Sequence, residues 1–178
     1  MNRRTFGHPI HWKVLSHSAR LAMRNRQCNQ AVCLYQSALT EALALNGPSV
    51  CTARTYWRLG RLAAFQKKFE GAETYWLDAL KIAMRLNKPQ SLFVVRLYVH
   101  LAWNCMQQQQ NGAALIWCSR AMRSIQNHKP DSTRLLGPLR LLQHIYRALR
   151  RNQDAADAHR LIRLVARPDV EASKRHVI

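Results

Sequence analysis

The chain has 178 residues, 48% of them apolar, enough for one domain with a continuous core. Lys and Arg number 28 against nine Asp and Glu, a net charge of +19, and Arg outnumbers Lys 21 to 7, a balance that draws polyanions or acidic proteins. Gly and Pro are scarce at six each, which favours helix over sheet, and no apolar run approaches the ~18 residues of a membrane span.

Residues 1–11 read as a basic N-terminal arm. His8 and His11 within it bring no third ligand, so no metal is expected. Residues 1–40 hold no acid, and Arg3, Arg4, Arg20, Arg24 and Arg26 fall there, the composition of a mitochondrial presequence. Residues from 12 onward, however, belong to the first helix pair, which cleavage would destroy. Five cysteines, an odd number with no CxxC pair and no signal peptide before them, read as reduced, buried small residues, and the protein as cytoplasmic.

From residue 12 the chain repeats. Ala31, Ala72, Ala114 and Ala155 recur at steps of 41, 42 and 41. The first pair, 12–46, carries Leu15, Ala19 and Ala22, then Ala31, Tyr35, Ala38 and Leu39. The second, 53–87, carries Tyr56, Leu59, Gly60 and Ala63, a turn at Gln66-Lys67-Lys68, then Phe69, Ala72, Trp76, Ala79 and Leu80. The third, 95–127, carries Tyr98, Leu101, Ala102 and Cys105, then Ala114, Cys118 and Ala121, with a polar run at 107–110 that ends its first helix. The fourth, 136–167, carries Leu139, Leu142 and Tyr146, then Ala155 and His159. Each set is one helical stripe, and small residues let paired helices approach. Gly47-Pro48, Pro89, Pro130 and Pro168 each follow a second helix, where Pro stops it. Gly137-Pro138 either opens the fourth pair or kinks a helix begun near Asp131-Ser132. Residues 168–178 read as a C-terminal tail.

Tyr56, Leu59-Gly60, Ala72, Trp76 and Ala79-Leu80 resemble the tetratricopeptide repeat (TPR) family pattern. Ala63 stands where that family usually has Tyr, the other three copies lack the Gly, and the period of 41–42 exceeds the family's. The resemblance covers residues 12–167. It implies an all-α fold, a right-handed α-solenoid of about four antiparallel helix pairs. It also implies a binding scaffold whose first helices line a concave face.

The first-helix windows 12–26, 53–66, 95–108 and 136–150 contain no acid. Glu70, Glu73, Asp78, Asp154 and Asp157 all fall on second helices. Setting aside the packing stripes leaves Lys13, Arg20 and Arg24; then Arg54, Trp57, Arg61 and Phe65; then Arg96, Val99, Trp103 and Met106; then Arg140, His144 and Arg147. Such a lining of guanidinium forks and aromatics suits an acidic, partly hydrophobic peptide segment of a partner protein. The bland alternative buries Trp57 and Trp103 in the core and leaves the arginines solvated. RNA or DNA is the rival ligand for the same face. Leu161, Ile162, Leu164 and Val165 would either cover the end of the array or meet a second copy. No nucleophile–base set, paired carboxylates or phosphate loop appears, so neither catalysis nor a cofactor is expected.

Overall fold

The computed structural model describes residues 9–86, 91–126 and 133–166. Eight helices lie among them: α1 (Pro9–Arg24), α2 (Cys28–Asn46), α3 (Val50–Phe65), α4 (Phe69–Arg85), α5 (Leu92–Gln107), α6 (Asn111–Gln126), α7 (Leu136–Ala148) and α8 (Asn152–Ala166). The described residues include no strand. Consecutive helices pack as pairs, α1 on α2, α3 on α4, α5 on α6 and α7 on α8. The chain divides into two compact units, Met1–Pro89 and Gln90–Ile178, with two pairs in each. Within each unit the two first helices also touch, α1 with α3 and α5 with α7.

The turn inside each pair is built the same way four times. Arg26, Lys67, Gln109 and Arg150 are left-handed, with φ of 59°, 59°, 60° and 57°. The next residue donates its N–H back to the first helix each time. Gln27 bonds the Ala22 carbonyl at 2.9 Å, Lys68 that of Ala63 at 2.9 Å, Gln110 that of Cys105 at 2.9 Å and Arg151 that of Tyr146 at 2.8 Å. The left-handed residues bond the carbonyls of Met23, Ala64, Met106 and Arg147. These are Schellman closures, which satisfy carbonyls the helix end would leave bare. Their positions step by 41, 42 and 41, the period of the alanines.

Starts and stops follow local chemistry. Ser49 caps α3 by accepting the Thr52 N–H at 3.3 Å, and Ser91 caps α5 by accepting that of Val94 at 3.3 Å. Gly47 ends α2 with a φ of 56°, its N–H on the Leu43 carbonyl. A 3-10 turn, Thr133–Leu135, leads into α7, which starts at Leu136, so Gly137-Pro138 opens the fourth pair rather than kinking it. Pro138 sits in the first turn, where its missing N–H is not needed. Pro89, Pro130, Pro168, residues 1–8 and the tail 168–178 lie outside the described residues.

The repeated alanines are buried, Ala31, Ala72 and Ala114 fully and Ala155 to 5% exposure. At Gly60 the backbone of α3 lies directly against a side chain of α4. A Cβ there would stand 2.5 Å from Trp76 Nε1. The Trp76 ring therefore lies over bare backbone, and its Nε1 donates to the Trp57 carbonyl at 3.2 Å. In the first unit Ala19, Ala22, Ala31, Tyr35, Leu59 and Leu62 form one cluster, and Trp12, Ala38 and Ala42 another. Trp12 Nε1 donates to Thr55 Oγ1 at 2.9 Å, tying α1 to α3. The second unit has a core that includes Val95, Val99, Leu139, Leu142, Ile145 and Tyr146.

Three expectations need correction. His159 is exposed and Ala158 takes the buried place on α8, because nothing among the described residues covers the turn of α8 that carries the imidazole. The cysteines are free, but only Cys105 and Cys118 are buried, and Cys33 is exposed on α2. Val99 belongs to the core rather than to the open face of α5, because Val95, Val99 and Ala102 form the side of α5 that packs into the core of its own unit.

Candidate functional site

No acid falls within α1, α3, α5 or α7. In the first unit Lys13, Arg20 and Arg24 are exposed on α1, and Arg54 and Arg61 on α3. Phe65 is 63% exposed, the most open large apolar side chain among those described. Trp57 is half-buried, with the Arg61 guanidinium 5.0 Å above its ring, a cation–π contact.

The fold brings some of these residues together. Arg20, Arg24 and Arg61 line one cavity of about 280 Å³ with Met23, Tyr35 and Arg58. Lys13 lines a neighbouring hollow of about 460 Å³ with Trp12, Ser16 and His17, and Arg20 and Arg58 border this hollow too. No carboxylate lines either space. Arg20 holds a contact of 3.0 Å between its Nη2 and His17 Nδ1.

Arg58 and Tyr35 also line the cavity, although the sequence pattern left Arg58 off the open face and placed Tyr35 on a packing stripe. On α3 the series 54, 57, 61, 65 and the series 54, 58, 61, 65 both follow one helical face. The packing of α2 against α3 selects position 58 for the cavity. Arg58 is half-buried, and its Nη1 is buried without a hydrogen-bond partner. Burial, with the like charges of Arg20, Arg54 and Arg61, holds its guanidinium pKa below the usual range despite the opposing influence of Tyr35. Burial pushes the Tyr35 hydroxyl pKa up, against the charges of Arg58, Arg61 and Arg20.

In the second unit Arg140, His144 and Arg147 are exposed along α7. Arg96 is half-buried on α5, and Trp103 and Met106 are half-buried against the core. A further basic–aromatic stack lies on a second helix, where Arg120 sits 4.6 Å over Trp117, itself stacked on Tyr98 at 5.8 Å. Near the end of α8 Val165 is buried and Leu161 and Ile162 pack on the unit's own core, while Leu164 is 50% exposed. Among the described residues no three His, Cys, Asp or Glu gather as metal ligands, and no helix is long and apolar enough to cross a membrane.

Several solved structures share this arrangement of helices. BtubC (BKLC) from P. vanneervenii matches 94% of the chain with a TM-score of 0.72 and 25% identity. The chain spans 65% of BtubC, just under two thirds of its length. Two Podosopora anserina structures described as kinesin light chain with nearly identical TPR-like repeats match at TM-scores of 0.71 and 0.68, with 17% and 16% identity. They cover 94% and 96% of the chain, which in turn covers 78% and 79% of theirs. The fold is a TPR-like helical repeat. No protein-family profile and no curated protein matches the chain. In TPR-like terms, α1, α3, α5 and α7 are the first helices of four repeats, and the basic faces described above belong to them.

Proposed function

We propose that the chain is a non-catalytic TPR-like scaffold or regulatory adaptor, cytoplasmic, that holds an acidic, partly hydrophobic segment of a partner protein against its first helices. The observation that carries this reading is the meeting of Arg20, Arg24, Arg58 and Arg61 around a space with no carboxylate. Trp57 under Arg61 and the open Phe65 ring lie on the same helix and offer apolar anchors beside the charge. A peptide with acidic residues between hydrophobic ones matches both features. Arg140, His144 and Arg147 extend the same chemistry to the first helices of the second unit.

The test is binding of a labelled amphipathic acidic peptide to the wild type and to the Arg54→Glu, Arg61→Glu, Arg147→Glu triple variant. Fluorescence anisotropy should show a loss of roughly tenfold or more, since bonds to charged groups are worth ~1.5–3 kcal/mol each. Unchanged affinity would sink the assignment. A single-stranded oligonucleotide, titrated at two salt concentrations, covers the nucleic-acid reading. Oligonucleotide binding tighter than peptide binding, with a steep fall in salt, would replace the protein partner by RNA or DNA.

A further inference from the structure

We propose that the cavity between α1, α2 and α3 is a seat for a phosphomonoester dianion. The proposal rests on reading the first-helix faces as the ligand-bearing side, and it names the chemistry of one place on them.

The case starts from what the cavity gathers. Arg20 and Arg24 come from α1, Arg58 and Arg61 from α3, and Tyr35 from α2. Four arginines thus line one space of about 280 Å³, and Met23 is its remaining wall. No carboxylate lines it. Folding has also placed the Nη1 of Arg58 where neither solvent nor another residue satisfies it. A buried donor left in that state among like charges destabilises the folded chain. Departures of this kind from full pairing are expected at functional sites, and here one borders a space lined by like charges.

The charge selects the ligand. A single carboxylate offers one negative charge and two oxygens, too little for four arginines. A phosphomonoester carries about −1.5 to −2 charge near pH 7 and three terminal oxygens, each able to accept from a planar fork. A phosphodiester, as in RNA, carries a single charge and is a poorer match. Tyr35 is 3% exposed, and its hydroxyl, neutral at pH 7, can donate as well as accept. Free phosphate and a phosphorylated Ser of a partner present the same group.

The experiment uses the full chain, isothermal titration and thermal unfolding. The probes are inorganic phosphate, a short neutral peptide with one phosphoserine, and the same peptide with Glu there. Both phosphate probes should bind and raise Tm beyond the effect of chloride at equal ionic strength. Tighter binding of the phosphopeptide assigns the seat to a modified partner, and equal binding assigns it to the free anion. Arg58→Gln should weaken both probes roughly tenfold or more while leaving Tm without ligand unchanged or higher. Arg20→Gln, at an exposed position, is the second variant and should weaken them likewise. A Lys67→Gln, Lys68→Gln double variant removes more charge from outside the cavity and should bind as the wild type does.

Wild-type affinity in both arginine variants, or equal losses in the lysine variant, overturns the proposal. So does a Glu peptide that binds as well as the phosphoserine one, although that result leaves the acidic-peptide scaffold standing. Failure of every probe here, with the amphipathic peptide of the preceding experiment still binding, removes the phosphate seat alone.

Discussion

Gly60 and Trp76 show how one missing methyl group sets a helix crossing. The closest approach of a Cβ at position 60 would be 2.5 Å to Trp76 Nε1, with Cδ1 at 2.7 Å and Cε2 at 2.8 Å. All three atoms belong to a ring that is 1% exposed and cannot swing away. Gly60→Ala should therefore destabilise the chain by about 1–3 kcal/mol, the usual cost of overpacking, although Ala is the better helix former. Urea unfolding followed by Trp fluorescence measures it, and a midpoint equal to or above the wild type's would contradict the packing argument. That Gly60 and Trp76 each lie on a packing stripe was readable beforehand, because both sit in the part of the chain closest to the TPR pattern, but their contact was not. The role of Arg58 was not readable either, because adjacent helix positions lie only about 100° apart around the axis, a difference that periodicity alone does not resolve.

At the scale of the element, the four turns between paired helices repeat one backbone solution without the residue that suits it best. Arg26, Lys67, Gln109 and Arg150 hold positive φ although none is glycine. A left-handed conformation costs an L-residue with a side chain about 1–2 kcal/mol. Lys67 is exposed, so its side chain gives little in return beyond a favourable charge at a helix end. Lys67→Gly is expected to raise stability by up to about 1 kcal/mol, because only the turn geometry is at stake. Thermal unfolding of that variant checks it, and a fall in Tm would mean that the lysine makes a contribution the turn does not account for. The helix ends were legible in part. The break at Gly47-Pro48 matches the end of α2, and the Gln66-Lys67-Lys68 turn lies where the residues demanded it. Whether Gly137-Pro138 opens or kinks a helix depended on the 3-10 turn before it, which no local pattern announces.

For the whole molecule, the buried titratable groups of the second unit predict how the fold responds to alkali. Burial, helped by Asp154 and Cys105, pushes the Cys118 thiol from 9.0 up to about 12. Burial, with Cys118 and Asp154, also raises the Tyr146 hydroxyl above 10.0, against the charge of Arg151. Both groups hold their protons more tightly when folded, so their share of stability is fully present below pH 9. It is lost as pH climbs, from 9 upward for Cys118 and from 10 upward for Tyr146, by at most ~1.4 kcal/mol per pH unit for each group. Urea midpoints taken at pH 8, 9.5 and 10.5 should fall steadily for the wild type and less steeply for Cys118→Ala. Parallel slopes would show that Cys118 ionises as freely in the fold as outside it.

The sequence by itself determined the helix pairs, their 41- and 42-residue steps and the exclusion of acid from the first helices. Those properties are one-dimensional. Periodicity decides which side of a helix is buried, and small residues decide where two helices can close on each other. Which arginines meet was decided only by the tertiary structure. The lining of the cavity depends on how far α1, α2 and α3 are rotated about their own axes where they cross, and that rotation is set by the summed packing of Ala19, Ala22, Tyr35, Leu59 and Leu62. It brought Arg58 in beside Arg20, Arg24 and Arg61, and turned Val99 into the core of the second unit. A stripe of charge can be read along a chain, but the convergence of charge from separate helices exists only once they have packed.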